Sequence, residues 1–301
     1  VVGERRGALD GLRAIALVAV LLYHALPGAV PGGFLGVEVF FVLSGYLLTS
    51  LLLAEHRRTG RLDVRRYYAR RVRRLAPALL ALLAALVVLI PAVAGDDAHR
   101  FAGDLFSSLA GVTNWHLIQD HSSYFGGLGR PPLVRHLWSL SVEIQFYVVC
   151  PFLVAALAVR RQRTAFGALA AGIAGSAALL GLLYRAGDAS RAYYGTDARI
   201  GALLAGALLA FVLATATEPV APETGWARGR AVMLGGTGFV ALAALAMLFT
   251  RAHEQSRLLY PLGFLATQVA TAIAITFALR GGRFAATRGV RPLRWLGDRS
   301  Y

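Results

Sequence analysis

The chain has 301 residues, of which 57% are hydrophobic and 16% charged, with a mean hydropathy of +0.58; the charged share is well below the roughly 25% of soluble domains, which excludes an ordinary soluble globule. All 31 positive charges are arginine and the net charge is +15, yet the arginines are distributed over alternate loops and lack an interleaved aromatic stacking pattern, which argues against a nucleic-acid surface. A single cysteine, Cys150, excludes an intramolecular disulfide and a cysteine metal cluster.

About 20 apolar residues suffice to cross the hydrocarbon core. Eight such spans are read at 9–27, 34–54, 75–94, 137–158, 165–184, 198–214, 231–250 and 258–279. They predict an all-α fold, a polytopic transmembrane helix bundle in which residues 1–301 form one domain. The chain starts at Val1 without methionine and stops at Tyr301, so it reads as a fragment at both ends, with LGDRSY as the beginning of a truncated last span. The first apolar run does not read as a removable signal peptide. With the N-terminus in the cytoplasm, 22 arginines lie in or beside inner loops: Arg5 and Arg6, nine from Arg57 to Arg74, three in RRQR, Arg228 and Arg230, and six from Arg280 to Arg299. Outer loops hold eight. By the positive-inside rule this predicts a multi-pass protein of the cell membrane with a cytoplasmic N-terminus.

The first span carries Asp10 and Arg13 near its inner end and His24 at its outer end. Eleven residues are about three helical turns, so Arg13 and His24 share a face and stand roughly 16 Å apart along the axis. His24 is a candidate base or an interfacial anchor. Between the second and third spans, nine arginines fall within eighteen residues. Two or three would set topology; the surplus fits a phosphorylated cytoplasmic ligand gripped by guanidinium groups, or anionic lipid headgroups.

Segment 101–118, FAGDLFSSLAGVTNWHLI, has helical length but contains Asp104, Asn114 and His116. A full crossing here would invert every later loop, so it is expected to be a re-entrant or interfacial helix in a long outer loop, 95–135. Within it, HRFAGD matches the H-x4-D pattern of soluble-facing glycerolipid acyltransferases, but it falls outside, away from the arginine-rich loop, and has only two fixed positions. In the fourth span His136, Ser139, Glu143 and Tyr147 are spaced three, four and four apart, on one helix face. Ionisable groups in a span are costly and tend to face the bundle interior, so this stripe is expected to line an internal cavity. The alternative is that His136 and Ser139 cap the helix while Glu143 pairs with an arginine to join two helices.

Together these motifs resemble the acyltransferase 3 family of integral membrane O-acyltransferases, over nearly the whole chain. LDGLRAIALVAVLLYH is similar to its first-helix signature; GFLGVEVFFVLSGYLLT resembles the second, with Glu38 where aspartate is commoner; RRVRRLAP resembles the inner-loop RxxR signature at Arg71 and Arg74. HLWSLSVEIQFY resembles HxWSLSxEEQFY, with Ile144 in place of the second glutamate, so that a carboxylate pair is lost and Glu143 acts alone. YYGTDARIGALLAGALLA carries Arg199 in a later signature, and LGDRSY resembles the start of the last.

The resemblance implies transfer of an acyl group, commonly acetyl, from cytoplasmic acyl-coenzyme A to a hydroxyl of a glycan or other acceptor, with no metal. Arg71 and Arg74, helped by Arg13, would hold the coenzyme A phosphates. His24 would be the general base, with Glu143 orienting its imidazole or stabilising charge. His136, Ser139 and Arg199 are candidate oxyanion donors, and Asp10 and Glu38 candidate substrate contacts. No G-x-S-x-G elbow supports a serine acyl-enzyme. The acceptor stays open between a surface polysaccharide, a glycolipid and a secreted metabolite, and a fused or separate extracytoplasmic domain would favour a polymer. A transporter or glycan flippase with a His/Glu proton relay is the alternative, although no inverted repeat is evident.

Overall fold

In lipid the backbone must satisfy its own hydrogen bonds, so long Ala- and Leu-rich runs become helices. The computed structural model describes residues 2–26, 28–93, 98–126, 132–185, 188–215, 225–260 and 262–280. All eight expected spans are helices: α1 (Val2–Ala25), α2 (Gly36–Thr59), α3 (Val64–Val93), then, after two short helices, α6 (Trp138–Ala158), α7 (Gln162–Leu183), α9 (Thr196–Thr215), α10 (Gly225–Arg251) and α11 (Leu262–Arg280). The short ones are α4 (Ala98–Leu109), α5 (Thr113–Gln119) and α8 (Ser190–Tyr194). Among the described residues six helices, α2, α3, α6, α7, α9 and α11, are long and apolar enough to cross a membrane; the apolar part of α10 found there, Gly235–Arg251, is shorter, and α1, with Asp10 and Arg13 in its first half, is not among the six. The LGDRSY motif and the arginines from Arg283 to Arg299 lie outside the described residues, as do the side chains of Arg5, Arg6, His99, Arg228 and Arg230.

Segment 101–118 is not one helix. It breaks at Gly111, whose φ of 67° is left-handed and open to glycine at little cost, and residues 98–119 form the pair α4 and α5. At 12 and 7 residues these helices are about 18 and 10 Å long, too short for a core of about 30 Å. The polar residues that weakened the apolar pattern are bonded inward. Thr113 N–H donates to Ser141 Oγ of α6 at 3.1 Å, and Asn114 Nδ2 donates to the Tyr194 carbonyl at 3.1 Å and to Thr196 Oγ1 at 2.9 Å. Gln145 of α6 closes this network, donating to Asn114 Oδ1 at 2.9 Å and accepting from Thr196 Oγ1 at 2.6 Å. Asp104 pairs with His116 at 3.2 Å, so the aspartate of HRFAGD ties α4 to α5.

The centre of the bundle is α2: 67% of its most apolar window is buried, against 6% for α3. Against α2 lies α9, at a crossing where neither helix has room for a side chain. A Cβ on Gly45 would overlap the Leu203 carbonyl, and one on Gly206 would overlap the Val42 carbonyl. Small residues let membrane helices approach to backbone contact, where dispersion replaces a hydrophobic drive. Beside this crossing sits an aromatic core of Phe34, Phe41, Trp138, Tyr193 and Phe264, all buried.

Candidate active site

Four helices wall a cavity of about 660 Å³: α1 with Asp10 and Arg13, α2 with Ser44, α3 with Arg71 and Arg74, and α6 with Ser139, Glu143 and Tyr147. A second cavity of about 280 Å³ is lined by His24, Tyr124, Arg135, His136 and Ser139. Val20, Val37 and Ser139 line both, so the two adjoin. The arrangement also orders the helices. The first half of α1 and the start of α3 share the large cavity, while the last turn of α1 and the start of α6 share the small one. Helix α3 therefore runs from the Arg13 end towards the His24 end, where α6 begins. Tyr68 near the start of α3 donates to the Val148 carbonyl in the middle of α6 at 2.7 Å, in keeping with this antiparallel run.

At the Arg71 end the arginine-rich segment is divided. Of its nine arginines, Arg71 and Arg74 line the large cavity, whereas Arg57 and Arg58 line a separate groove with Tyr46 and Leu213. Arg70 reaches Glu55 at 3.7 Å, and Arg73 Nε donates to the Ala69 carbonyl at 3.2 Å. The three-residue spacing puts Arg71 and Arg74 on one face of α3. Arg13 is buried and within electrostatic reach of Arg74, Glu143 and Asp10.

Glu143 accepts from Ser44 Oγ and from Tyr147 Oη, each at 2.6 Å, one on each carboxylate oxygen. It makes no bond to His24. The imidazole is oriented instead by its own helix: Nδ1–H donates to the Val20 carbonyl at 2.8 Å, using the second lone pair of an oxygen four residues back along α1. That bond fixes the tautomer, since a carbonyl can only accept, and leaves Nε2 with its lone pair. The Tyr124 hydroxyl donates to Nε2 at 3.3 Å; burial pushes this phenol above its ordinary range, so it stays protonated. Sequence reasoning missed Tyr124 and the Val20 carbonyl. The second was within reach of it, because a histidine in a last helical turn has its i−4 carbonyl beside it.

Glu38 and Arg199 stand apart from both cavities. Arg199 Nη2 meets Glu38 Oε2 at 2.6 Å with both side chains buried, and Gln268 Nε2 donates to Glu38 Oε1 at 2.7 Å. Rings close over the guanidinium, Phe264 at 4.3 Å and Tyr193 at 4.9 Å from their centroids. Each charge answers the other, and removing one would leave its partner uncompensated in the core. These two residues, read from the resemblance as candidate substrate and oxyanion contacts, form a buried pair joining α2, α9 and α11. Ser139 and His136 do line the cavities, and Ile144 packs against Gly111 at the α4–α5 break. Among the described residues no group of three or more His, Cys, Asp or Glu side chains could hold a metal.

Comparison with known proteins gives concordant results. A family model described as an acyltransferase domain matches residues 6–301. YrhL of Bacillus subtilis, named as a candidate peptidoglycan O-acetyltransferase, is 38% identical over 97% of this chain and 46% of its own length. The O-acetyltransferase OatA of Staphylococcus aureus is 35% identical over 97% of the chain and 48% of its own length, and the peptidoglycan O-acetyltransferase OatA of Listeria monocytogenes 35% over 98% and 47%. The chain thus spans about half the length of these relatives. No solved structure matches it.

Proposed function

Because the chain belongs to the acyltransferase 3 family, we propose that it moves an acetyl group from cytoplasmic acetyl-coenzyme A to a hydroxyl of a cell-wall glycan on the far side of the membrane. Peptidoglycan is the acceptor suggested by the relatives' names. The observation that carries the reading is the pair of adjoining cavities, with Arg71, Arg74 and Arg13 at one end and His24 at the other. Guanidinium groups at the wide end suit the phosphates of coenzyme A. The thioester then lies towards Ser139, the polar residue among the three common to both cavities. His24 Nε2 takes the proton of the acceptor hydroxyl, the oxygen adds to the thioester carbonyl, the C–S bond breaks, and coenzyme A leaves as its thiol. Ser139 and His136 flank the path and are the proposed donors to the oxyanion. The N-terminus is proposed to be cytoplasmic, which puts the arginine-rich segment with the donor.

Purified protein supplied with acetyl-coenzyme A and a soluble peptidoglycan oligosaccharide should release free coenzyme A and form an O-acetyl ester. Arg71→Lys combined with Arg74→Lys should raise KM for acetyl-coenzyme A about tenfold, because lysine keeps the charge and topology signal but lacks the bidentate fork. An unchanged donor KM would assign these arginines to topology alone, and no ester from the wild-type chain would overturn the proposal.

A further inference from the structure

The small cavity has a one-sided charge. Among the described residues no carboxylate lines it, and its permanently charged group there is Arg135. Asp188 and Glu254 act electrostatically on the neighbouring Tyr194 and Tyr23, but Arg135 forms no ion pair among the described residues. Its one hydrogen bond to a described residue, from Nη1 to the Tyr124 carbonyl, is long at 3.5 Å. A guanidinium has five donors in a fixed fork, so most of its capacity is unused among the described residues.

Arg135 is also held in place. Its guanidinium lies 5.5 Å from the centroid of the Tyr124 ring. That ring rests on Tyr193, with centroids 4.5 Å apart, and the Tyr124 N–H donates to Ser190 Oγ of α8 at 2.8 Å. The hydroxyl of the same ring meets His24 Nε2 at 3.3 Å. One anchored tyrosine therefore sets the spacing between the proposed base and an uncommitted cation, a spacing that one sugar and its substituent can bridge.

We infer that Arg135 is an acceptor subsite for a carboxylate, so that the preferred acceptor is an acidic saccharide whose reacting hydroxyl reaches His24 while its carboxylate is gripped by the guanidinium fork. The inference rests on the reading that a glycan hydroxyl is acetylated at His24. A planar carboxylate matches the fork with two parallel hydrogen bonds. Arg135 positions the acceptor and leaves the donor's binding untouched.

The test uses the full chain in detergent with acetyl-coenzyme A and two probes: an oligosaccharide of alternating N-acetylglucosamine and N-acetylmuramic acid with free lactyl carboxylates, and the same oligosaccharide with those groups converted to primary amides. Wild-type protein should show a KM about tenfold lower for the acid than for the amide, the scale of one charge-assisted contact. Arg135→Gln should raise the acid's KM to that of the amide without changing kcat or the KM for acetyl-coenzyme A. Arg135→Lys should fall between, and serves as the folded control if the glutamine variant is unstable. Equal KM values for the two glycans with wild-type protein would overturn the subsite and leave the transferase reading intact. An equal loss of kcat on both glycans in Arg135→Gln and Arg135→Lys would overturn it in favour of a role at the reacting carbonyl, and transfer to neither glycan by wild-type protein would overturn the acceptor reading together with the subsite.

Discussion

Replacing His24 with alanine should lower acetyl transfer by about 100-fold or more, the contribution expected of a positioned general base, while the yield of folded protein in detergent stays unchanged. The stability half of this expectation comes from the surroundings of His24: it sits in the last turn of α1 with an exposed side chain and one bond to the protein backbone, at the Val20 carbonyl. Alanine leaves that carbonyl its helical N–H partner and opens no cavity in the core. The activity half comes from the lone pair on Nε2, since the other groups around it are the Tyr124 phenol, Arg135, His136 and Ser139. Tyr124 and Arg135 are donors, Ser139 is a weak base, and His136 lies in the short turn before α6 and makes no hydrogen bond to Tyr124 or His24. His24→Asn is a useful second variant, because its amide can keep the Val20 bond but has no basic nitrogen. A variant that keeps more than about a tenth of wild-type turnover would remove His24 from the chemistry and make it an interfacial anchor.

Glu143→Gln should reduce kcat by about tenfold to a hundredfold with little change in folded yield. The carboxylates lining the two cavities are Asp10 and Glu143. Asp10 is fourteen residues from His24 along α1, about 21 Å; Glu143 lies one turn below Ser139, where the cavities adjoin. It is therefore the negative charge nearer to the imidazolium that forms when His24 takes a proton, and in apolar surroundings such a charge acts over several ångströms. A glutamine can fill the same space and keep hydrogen bonds to Ser44 and Tyr147, whose hydroxyls can turn to accept as well as donate. Normal kcat in a folded Glu143→Gln protein would show that the charge is not used. Loss of folded protein in proportion to activity would mean that the bonds to Ser44 and Tyr147 chiefly hold α2 to α6.

What could be read from the sequence follows the range of the forces involved. Eight helices were legible because lipid imposes one local requirement, an apolar run of sufficient length, and each helix meets it or departs from it within its own residues. The stripe from His136 to Tyr147 was legible for the same reason, since helical spacing alone puts it on one face. Glu38 and Arg199 show the limit: 161 residues of chain separate them, and nothing local says that their charges cancel across α2 and α9. The break at Gly111 was hidden among polar residues whose partners, Ser141, Gln145 and Thr196, lie on other helices. Tyr124 and Arg135 sit in a connecting segment without periodicity; the available signal was Arg135's place immediately before the HLWSLS motif.

Sidedness tests the central claim, that donor and acceptor meet through adjoining cavities from opposite faces. Proteoliposomes sorted for a single orientation are loaded with radiolabelled acetyl-coenzyme A on the side of Arg71 and Arg74, and the peptidoglycan oligosaccharide is added on the side of His24 alone. The account predicts labelled glycan outside and unlabelled coenzyme A retained within, both abolished by His24→Ala. Label reaching the glycan only when it shares a compartment with acetyl-coenzyme A would contradict it.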